Sequence, residues 1–505
     1  MGTDALYARI GPHVVASQRI AGLYVERSFR GRLEWLERKI SGWSQNASSA
    51  CRPSCGWRNG VDPAHWAHRR RENRVGVGLK RTSGADYLPA PMDAAPTRHD
   101  PYASLRIPNF RRFILSLLTM NVATQLQAVV VSWQVYALTH DPLSLGLIGL
   151  AEALPFIGFA LPAGHLADRA RRLRIARVAL TALLGCSAAL LWFTVQPGLL
   201  HPGRVWPIYT VIFLSGIARS FLQPARTALS AEVVPRALYP NAVTWRSSTW
   251  QLAAVLGPAL GGLIYGFGTA TAAYVVDVTL MLAALLAIAR IDHFPKARAA
   301  SEESILESLG SGIRFVRGQP VVLGALALDL FSVLFGGATA LLPVFADQIL
   351  HVGPQGLGVL RAAPAAGAVA MSLVLAHRPP LRRAGRTLLV NVALFGVAMI
   401  AFGLSRSFPL SLIVLAVSGM VDTVSVVVRS TLLQVLTPEH LLGRVSSVNA
   451  IFIGSSNEIG AFESGVAARL LGTVPSVVLG GLATLGVVTV TAVRVPELRR
   501  LKEIR

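Results

Sequence analysis

Charge and cysteine are what this sequence has least of. Of 505 residues 15% are Asp, Glu, Lys or Arg and 52% are hydrophobic, whereas soluble domains carry about a quarter charged residues. A string of ordinary soluble domains is thereby excluded, and a polytopic membrane protein is implied. Three cysteines, Cys51, Cys55 and Cys186, cannot build a disulfide framework. Cys186 falls inside an apolar run, where it behaves as a small hydrophobe. Cys51 and Cys55 are followed by His65 and His68, but the spacing misses the zinc-finger pattern and no metal is expected. Lysine is scarce: Lys39, Lys80, Lys296 and Lys502 are the only four among 48 basic residues, from which no function is taken. Acids are outnumbered too, giving a net charge of +22. In a soluble protein that surplus would suggest nucleic acid. Here the basic residues lie in loops, at span ends and in the leader, where lipid headgroups are nearer, so no nucleic-acid partner is expected. There is no phosphate loop and no paired metal-ligand cluster in the apolar runs, so neither an enzyme, a cofactor nor an ATP engine is expected.

Residues 1 to about 104 hold no run near the ~20 apolar residues a spanning helix needs and lack the order of a signal peptide. They read as a basic, disordered extension. Met92-Asp93-Ala94-Ala95-Pro96 looks like the usual lead-in to a first span, so Met92 is the suspected true start, with residues 1–91 upstream or untranslated. Apolar runs then recur near 113–137, 144–164, 173–195, 206–227, 243–267, 270–290, 320–346, 355–376, 387–405, 408–430, 444–470 and 474–494, twelve in all. Backbone in lipid must satisfy itself, and barrel strands would be far shorter, so an all-α membrane domain of twelve spanning helices is expected. The division expected is a six-helix half over 105–290, a linker over 291–319, a second six-helix half over 320–495 and a basic tail over 496–505. In the linker, Ser301-Glu302-Glu303-Ser304 reads as a helix cap, and Ile305, Leu309, Ile313 and Val316 recur at helical spacing, which predicts an amphipathic helix.

Arginine placement orients the chain. The stretch Gly164-His165-Leu166-Ala167-Asp168-Arg169-Ala170-Arg171-Arg172-Leu173-Arg174 packs one carboxylate and four guanidinium groups between two apolar runs. Arg236, Lys296, Arg298, Arg378, Arg382, Arg383 and Arg444 fall on the same side, while the opposite loops carry little beyond Arg204 and Arg406. By the positive-inside rule both termini face the cytoplasm.

The two halves repeat. At an offset of 203, Arg226, Pro235, Leu238, Gly257 and Gly262 match Arg429, Pro438, Leu441, Gly460 and Gly465. At an offset of 209, Gly149, Pro155 and Arg177 match Gly358, Pro364 and Arg386, and the same alignment sets Glu152 opposite Arg361. Parallel six-helix repeats place a substrate site between the halves near mid-membrane.

An ionisable side chain within a span costs roughly 2.5–3.5 kcal/mol on insertion scales, so each needs a partner or a watery cavity. The candidates for a proton or substrate pathway are Glu152, Arg219, Asp277, Asp329, Arg361, Asp422, Arg429 and Glu458, with Asn121, Gln125 and Asn457 as uncharged companions. Glu152, Asp329, Asp422 and Glu458 fall nearest the middle of their spans, where a carboxyl group is easiest to keep protonated. The rival reading of each is a static ion pair with Arg219 or Arg361.

The Gly164 to Arg174 stretch resembles the loop between helices two and three of major facilitator transporters. The resemblance implies an inner gate made of Gly164, Asp168, Arg169, Arg171 and Arg172, with Asp168 paired to Arg226 on the fourth span. Gly257-Pro258-Ala259-Leu260-Gly261-Gly262 carries the glycines and proline of that superfamily's antiporter-type helix motif, with Ala253 where the longer pattern begins with Gly. Phe110-Arg111-Arg112-Phe113, Asp141 to Gly146, Gln223-Pro224-Ala225-Arg226 and Leu442-Gly443-Arg444-Val445 resemble the bacterial secretion-effector branch, which contains enterobactin and macrolide exporters. What the resemblance implies is a monomeric, multi-pass protein of the bacterial inner membrane that exports a siderophore, macrolide or other amphipathic small molecule by proton antiport. The alternatives are an importer of a small polar metabolite on the same fold, and a transporter-like receptor or scaffold that moves nothing.

Overall fold

The computed structural model describes residues 100–292, 305–378 and 383–501, without the side chains of residues 160, 161, 168, 169, 305–309 and 440. The cysteine and histidine pairs of the leader and the suspected start at Met92 lie outside the described residues.

Among the described residues the chain is a succession of long helices. The first half contains α1 (Pro108–Thr139), α2 (Pro142–Arg169), α3 (Arg172–Val195), α4 (Trp206–Glu232), α5 (Tyr239–Phe267) and α6 (Ala270–Ala289). The helix Ile305–Gly318 follows. The second half contains α7 (Pro320–Phe335), α8 (Gly353–Ala376), α9 (Ala384–Leu404), α10 (Phe408–Leu436), α11 (Glu439–Leu471) and α12 (Thr473–Arg494). Ten segments are long and apolar enough to cross a membrane. The other two, α4 and α11, are as long but carry the charges discussed below.

Local chemistry sets the turns. His140 closes α1 in the left-handed region at φ 49°, and Asp141 then caps α2, its carboxylate accepting from the Leu143 N–H with Pro142 at the first helical position. Such an Asp-Pro start satisfies an orphan amide and presets the first turn.

Two expectations change. The arginine-rich stretch is two helix ends rather than a loop: α2 runs through Arg169, α3 begins at Arg172, and only Ala170 and Arg171 join them. The span expected as one run over 320–346 is broken. After Phe335 the chain turns through Gly336 and Gly337 into short helical turns at Ala338–Leu341, Leu342–Val344 and Phe345–Ile349. A side chain at Gly337 would strike Gly460 and Ser464 of α11, so the pair of glycines lets α11 press in where regular helix stops. Irregular backbone at this depth is tolerated because protein, not lipid, surrounds it.

Within the first half, α1 packs on α5 and α6, α4 on α2 and α3, and α3 on α6; within the second, α10 packs on α8 and α9, α9 on α12, and α7 on α11. Two seams join the halves, α2 against α11 and α5 against α8. Both rest on glycines: Gly146 and Gly465 stand backbone to backbone across the first seam, and Gly262 and Gly358 across the second. The repeat read in the sequence is thus a repeat of contacts. Gly257 meets α1 at Val122, Gln125 and Leu126, as Gly460 meets α7 at Val333 and Leu334.

The seams close at one end. Asp141 and Arg469 form an ion pair at 3.3 Å beside the Gly146–Gly465 contact. Toward the other end, Gly158 and Gly164 on α2 and Gly443 on α11 have nothing within 4 Å of where a side chain would start. The halves part toward the end that bears Arg171 and Arg172.

Candidate functional site: a charged quartet between the halves

Where the seams meet the open side lies a cavity of about 200 Å³ lined by α1, α2, α4, α8, α11 and the broken stretch after α7. Its charged groups are Glu152, Arg219, Arg361 and Glu458. One acid and one arginine come from each half.

Glu152 and Arg219 are fixed together. An Arg219 Nη donates to Glu152 Oε1 at 2.5 Å and to Ser215 Oγ at 3.1 Å. The pair can form because α2 and α4 cross at Gly216, whose missing side chain admits Pro155 and the Glu152 carbonyl. Glu458 comes from α11 and is within hydrogen-bonding reach of Glu152. Two carboxyl groups in contact cannot both ionise without strong repulsion. Arg361 lies close enough to feel both acids, yet makes no hydrogen bond or ion pair with another described residue. The rest of the wall is mixed. Thr124, Gln127, Ser132, Thr339 and Asn457 are polar, while Val131, Leu145, Ile148 and Ile212 are apolar.

Other candidates go elsewhere. Asp277 is fully buried in the first half; its Oδ2 accepts from Gln127 Nε2 at 2.9 Å, and the same amide donates to Ser187 at 3.2 Å. Its Oδ1 has no partner. Asp329 and Arg429 form a buried ion pair between α7 and α10, in a separate small pocket that also takes in Asp422, Ser332 and Ser425. Arg429 is therefore a partner of Asp329, not a copy of Arg226 at a gate. Asn121 is buried, Gln125 packs against Gly257, and neither lines the cavity. Gly257 and Gly261 seat α5 on α1, while Gly262 and the Pro258 carbonyl meet Gly358 of α8.

At the arginine-rich end, Arg172 is paired with Glu232, tying the start of α3 to the end of α4. Glu232 has no place among the residues expected from sequence, and a carboxylate at the last turn of a span gives no signal of its own. Arg226 makes no hydrogen bond or ion pair with another described residue. Asp168 and Arg169 end α2, their side chains outside the described residues. Thr339 has no signal in the sequence either, because only the break at Gly336-Gly337 brings it to the wall.

A family model described as transmembrane secretion effector matches residues 99–504. The chain belongs to that family. It is 27% identical over 397 residues to the enterobactin exporter EntS of Escherichia coli O81 (strain ED1a), covering 78% of this chain and 94% of the relative. The enterobactin exporter of Shigella boydii serotype 18 (strain CDC 3083-94 / BS512) is 26% identical over the same length. Among solved structures, a POT family transporter in complex with 5-aminolevulinic acid superposes with a TM-score of 0.63 at 10% identity, over 77% of this chain and 96% of its own. A bacterial homolog of the human lysosomal transporter Spinster, inward-facing and unoccupied, gives 0.58 at 13% identity, over 78% and 97%. The family member described here is a multi-pass membrane protein of the major facilitator fold, a secondary transporter.

Proposed function

We propose that this protein exports a siderophore-like or other amphipathic small molecule from the cytoplasm across the bacterial inner membrane, driven by proton antiport and working as a monomer with both termini cytoplasmic. The carboxyl pair Glu152–Glu458 carries the reading. It bridges α2 and α11, so a shared proton holds the seam that is closed here, and loss of that proton to the cytoplasm leaves two anions repelling across it. Repulsion loosens the closed end, which alternating access requires. The mixed wall suits a compound with both apolar surface and hydrogen-bonding groups. With the arginine-rich end cytoplasmic, the parted end is the inward one, where an exporter loads. A basic, lipid-facing end and a large apolar surface make the bilayer the surrounding partner.

Everted membrane vesicles test this directly, with tritiated enterobactin and a tritiated macrolide as probes. Accumulation that needs an imposed proton gradient is the expected result. Accumulation that survives collapse of the gradient excludes proton antiport, and accumulation only in right-side-out vesicles makes the protein an importer.

A further inference from the structure

Arg361 stands in the second half where Glu152 stands in the first. At the offset of 203 that relates α4 to α10, Arg219 corresponds to Asp422. The positions of the ion pair that ties α2 to α4 therefore carry inverted charges in the second half, Arg361 on α8 and Asp422 on α10. The helices bring these positions level. In the first half Gly216 meets Pro155 three residues from Arg219 and Glu152; in the second Gly419 meets the Pro364 backbone three residues from Asp422 and Arg361. The first pair is closed at 2.5 Å. The second is not formed in this conformation: Arg361 lines the central cavity and Asp422 the pocket beside Asp329, and neither makes an ion pair or hydrogen bond with another described residue.

We propose that Arg361 serves two stations, the Glu152–Glu458 pair and Asp422, and that moving between them couples the proton to the change of conformation. This rests on the proton-driven reading above. When Glu152 and Glu458 are both ionised, Arg361 is drawn to them. When they share a proton their demand for a cation halves, since Arg219 already serves Glu152, and Arg361 turns to Asp422 across the α8–α10 crossing. The seam α2–α11 and the crossing α8–α10 thus exchange one positive charge. The remaining charges near these positions are Arg219 on α4, which stays with Glu152, and the Asp329–Arg429 pair beside Asp422, which is closed on itself.

The test needs no substrate. Spin labels on His140→Cys and Leu470→Cys, both exposed positions at the closed end, report the seam spacing in the purified full-length chain with its native cysteines changed to serine. In wild type the spacing widens as pH rises and the shared proton leaves. Asp422→Asn removes one station and keeps Arg361 on the carboxyl pair, so the transition moves to lower pH by about one unit, the size of one nearby opposite charge. Arg361→Gln removes the cation and moves it to higher pH. Asp422→Glu restores the wild-type midpoint. A side chain that only props the helices apart does not give shifts of opposite sign. Asp422→Asn with an unmoved or raised midpoint overturns the two-station proposal. A wild-type spacing indifferent to pH overturns the proton-driven reading beneath it.

Discussion

Glu458 reaches across the seam to Glu152 while Arg219 holds Glu152 from its own half at 2.5 Å. On the proposed reading the acid from the second half, with the weaker claim on an arginine, is the one that holds the shared proton. Glu458→Gln fixes the protonated form in a neutral mimic. Exchange of the labelled probe across vesicles and gradient-driven accumulation should both fall at least tenfold, because the seam is then held as in the protonated state and no proton crosses with each cycle. Glu152→Gln also leaves Arg219 without its carboxylate, and both activities should fall. Retained accumulation in Glu458→Gln would remove this residue from coupling.

Asp329 and Arg429 carry a different weight. Their side chains are 12% and 5% exposed, so removing one partner strands the other away from water. Breaking a buried pair in this way costs about 3–5 kcal/mol, while replacing both partners by neutral groups of similar size is much milder. Arg429→Met and Asp329→Asn should each lower the protein recovered folded from membranes and its melting temperature in detergent. The double variant should regain most of both. If transport is lost in the double variant although the protein is folded, the pair belongs to the pathway rather than to the scaffold.

Much of this could be read in the chain. Twelve runs, the offset repeat at Gly257/Gly460 and Gly262/Gly465, and the pairing of Glu152 with an arginine follow from apolar period, from small residues where helices touch and from the cost of charge in lipid. What could not be read is depth and direction around each helix. Arg429 matches Arg226 in sequence, yet Asp329 is its neighbour only because α7 and α10 meet. Asp277 looks like the other mid-span acids but points into the first-half core at Gln127 rather than to the cavity. The sequence offers Arg172 as a gate charge without Glu232, since nothing in a linear pattern brings the start of α3 to the end of α4. The seventh span reads as continuous because Gly336 and Gly337 are as apolar as their neighbours; the break needs α11 pressing on them.

Asp277 offers a contrast to the quartet. No arginine contacts it among the described residues, one oxygen is satisfied by Gln127 and the other has no partner. An amide of the same shape can go on accepting from Gln127. Asp277→Asn should therefore keep at least half of wild-type accumulation and its pH profile. Asp277→Leu should cost folded protein instead, because it leaves the buried Gln127 amide with Ser187 alone. A loss of coupling in Asp277→Asn, with exchange intact, would make Asp277 a second proton site.

The glycine seams give the sharpest geometric expectation. At Gly262 a side chain would begin within about 2.5–2.8 Å of the Pro354 carbonyl and the Gly358 backbone, distances no neighbour can relieve by turning a side chain because every blocking atom is main chain. Gly262→Val should force α5 and α8 apart at the closed end, leaving protein in the membrane that cannot seal that side. Gly164, at the parted end, has nothing within 4 Å, so Gly164→Ala costs no contact in this conformation. Its effect then reports on the opposite state, in which α2 and α11 must close at the arginine-rich end. Accessibility of a single cysteine to a membrane-impermeant thiol reagent separates the two: Gly262→Val should raise labelling of Gln355→Cys, which packs against Gly266 across that seam, from the outer face severalfold, and Gly164→Ala should leave it unchanged. Equal labelling in Gly262→Val and wild type would mean that the α5–α8 seam does not set the closed end.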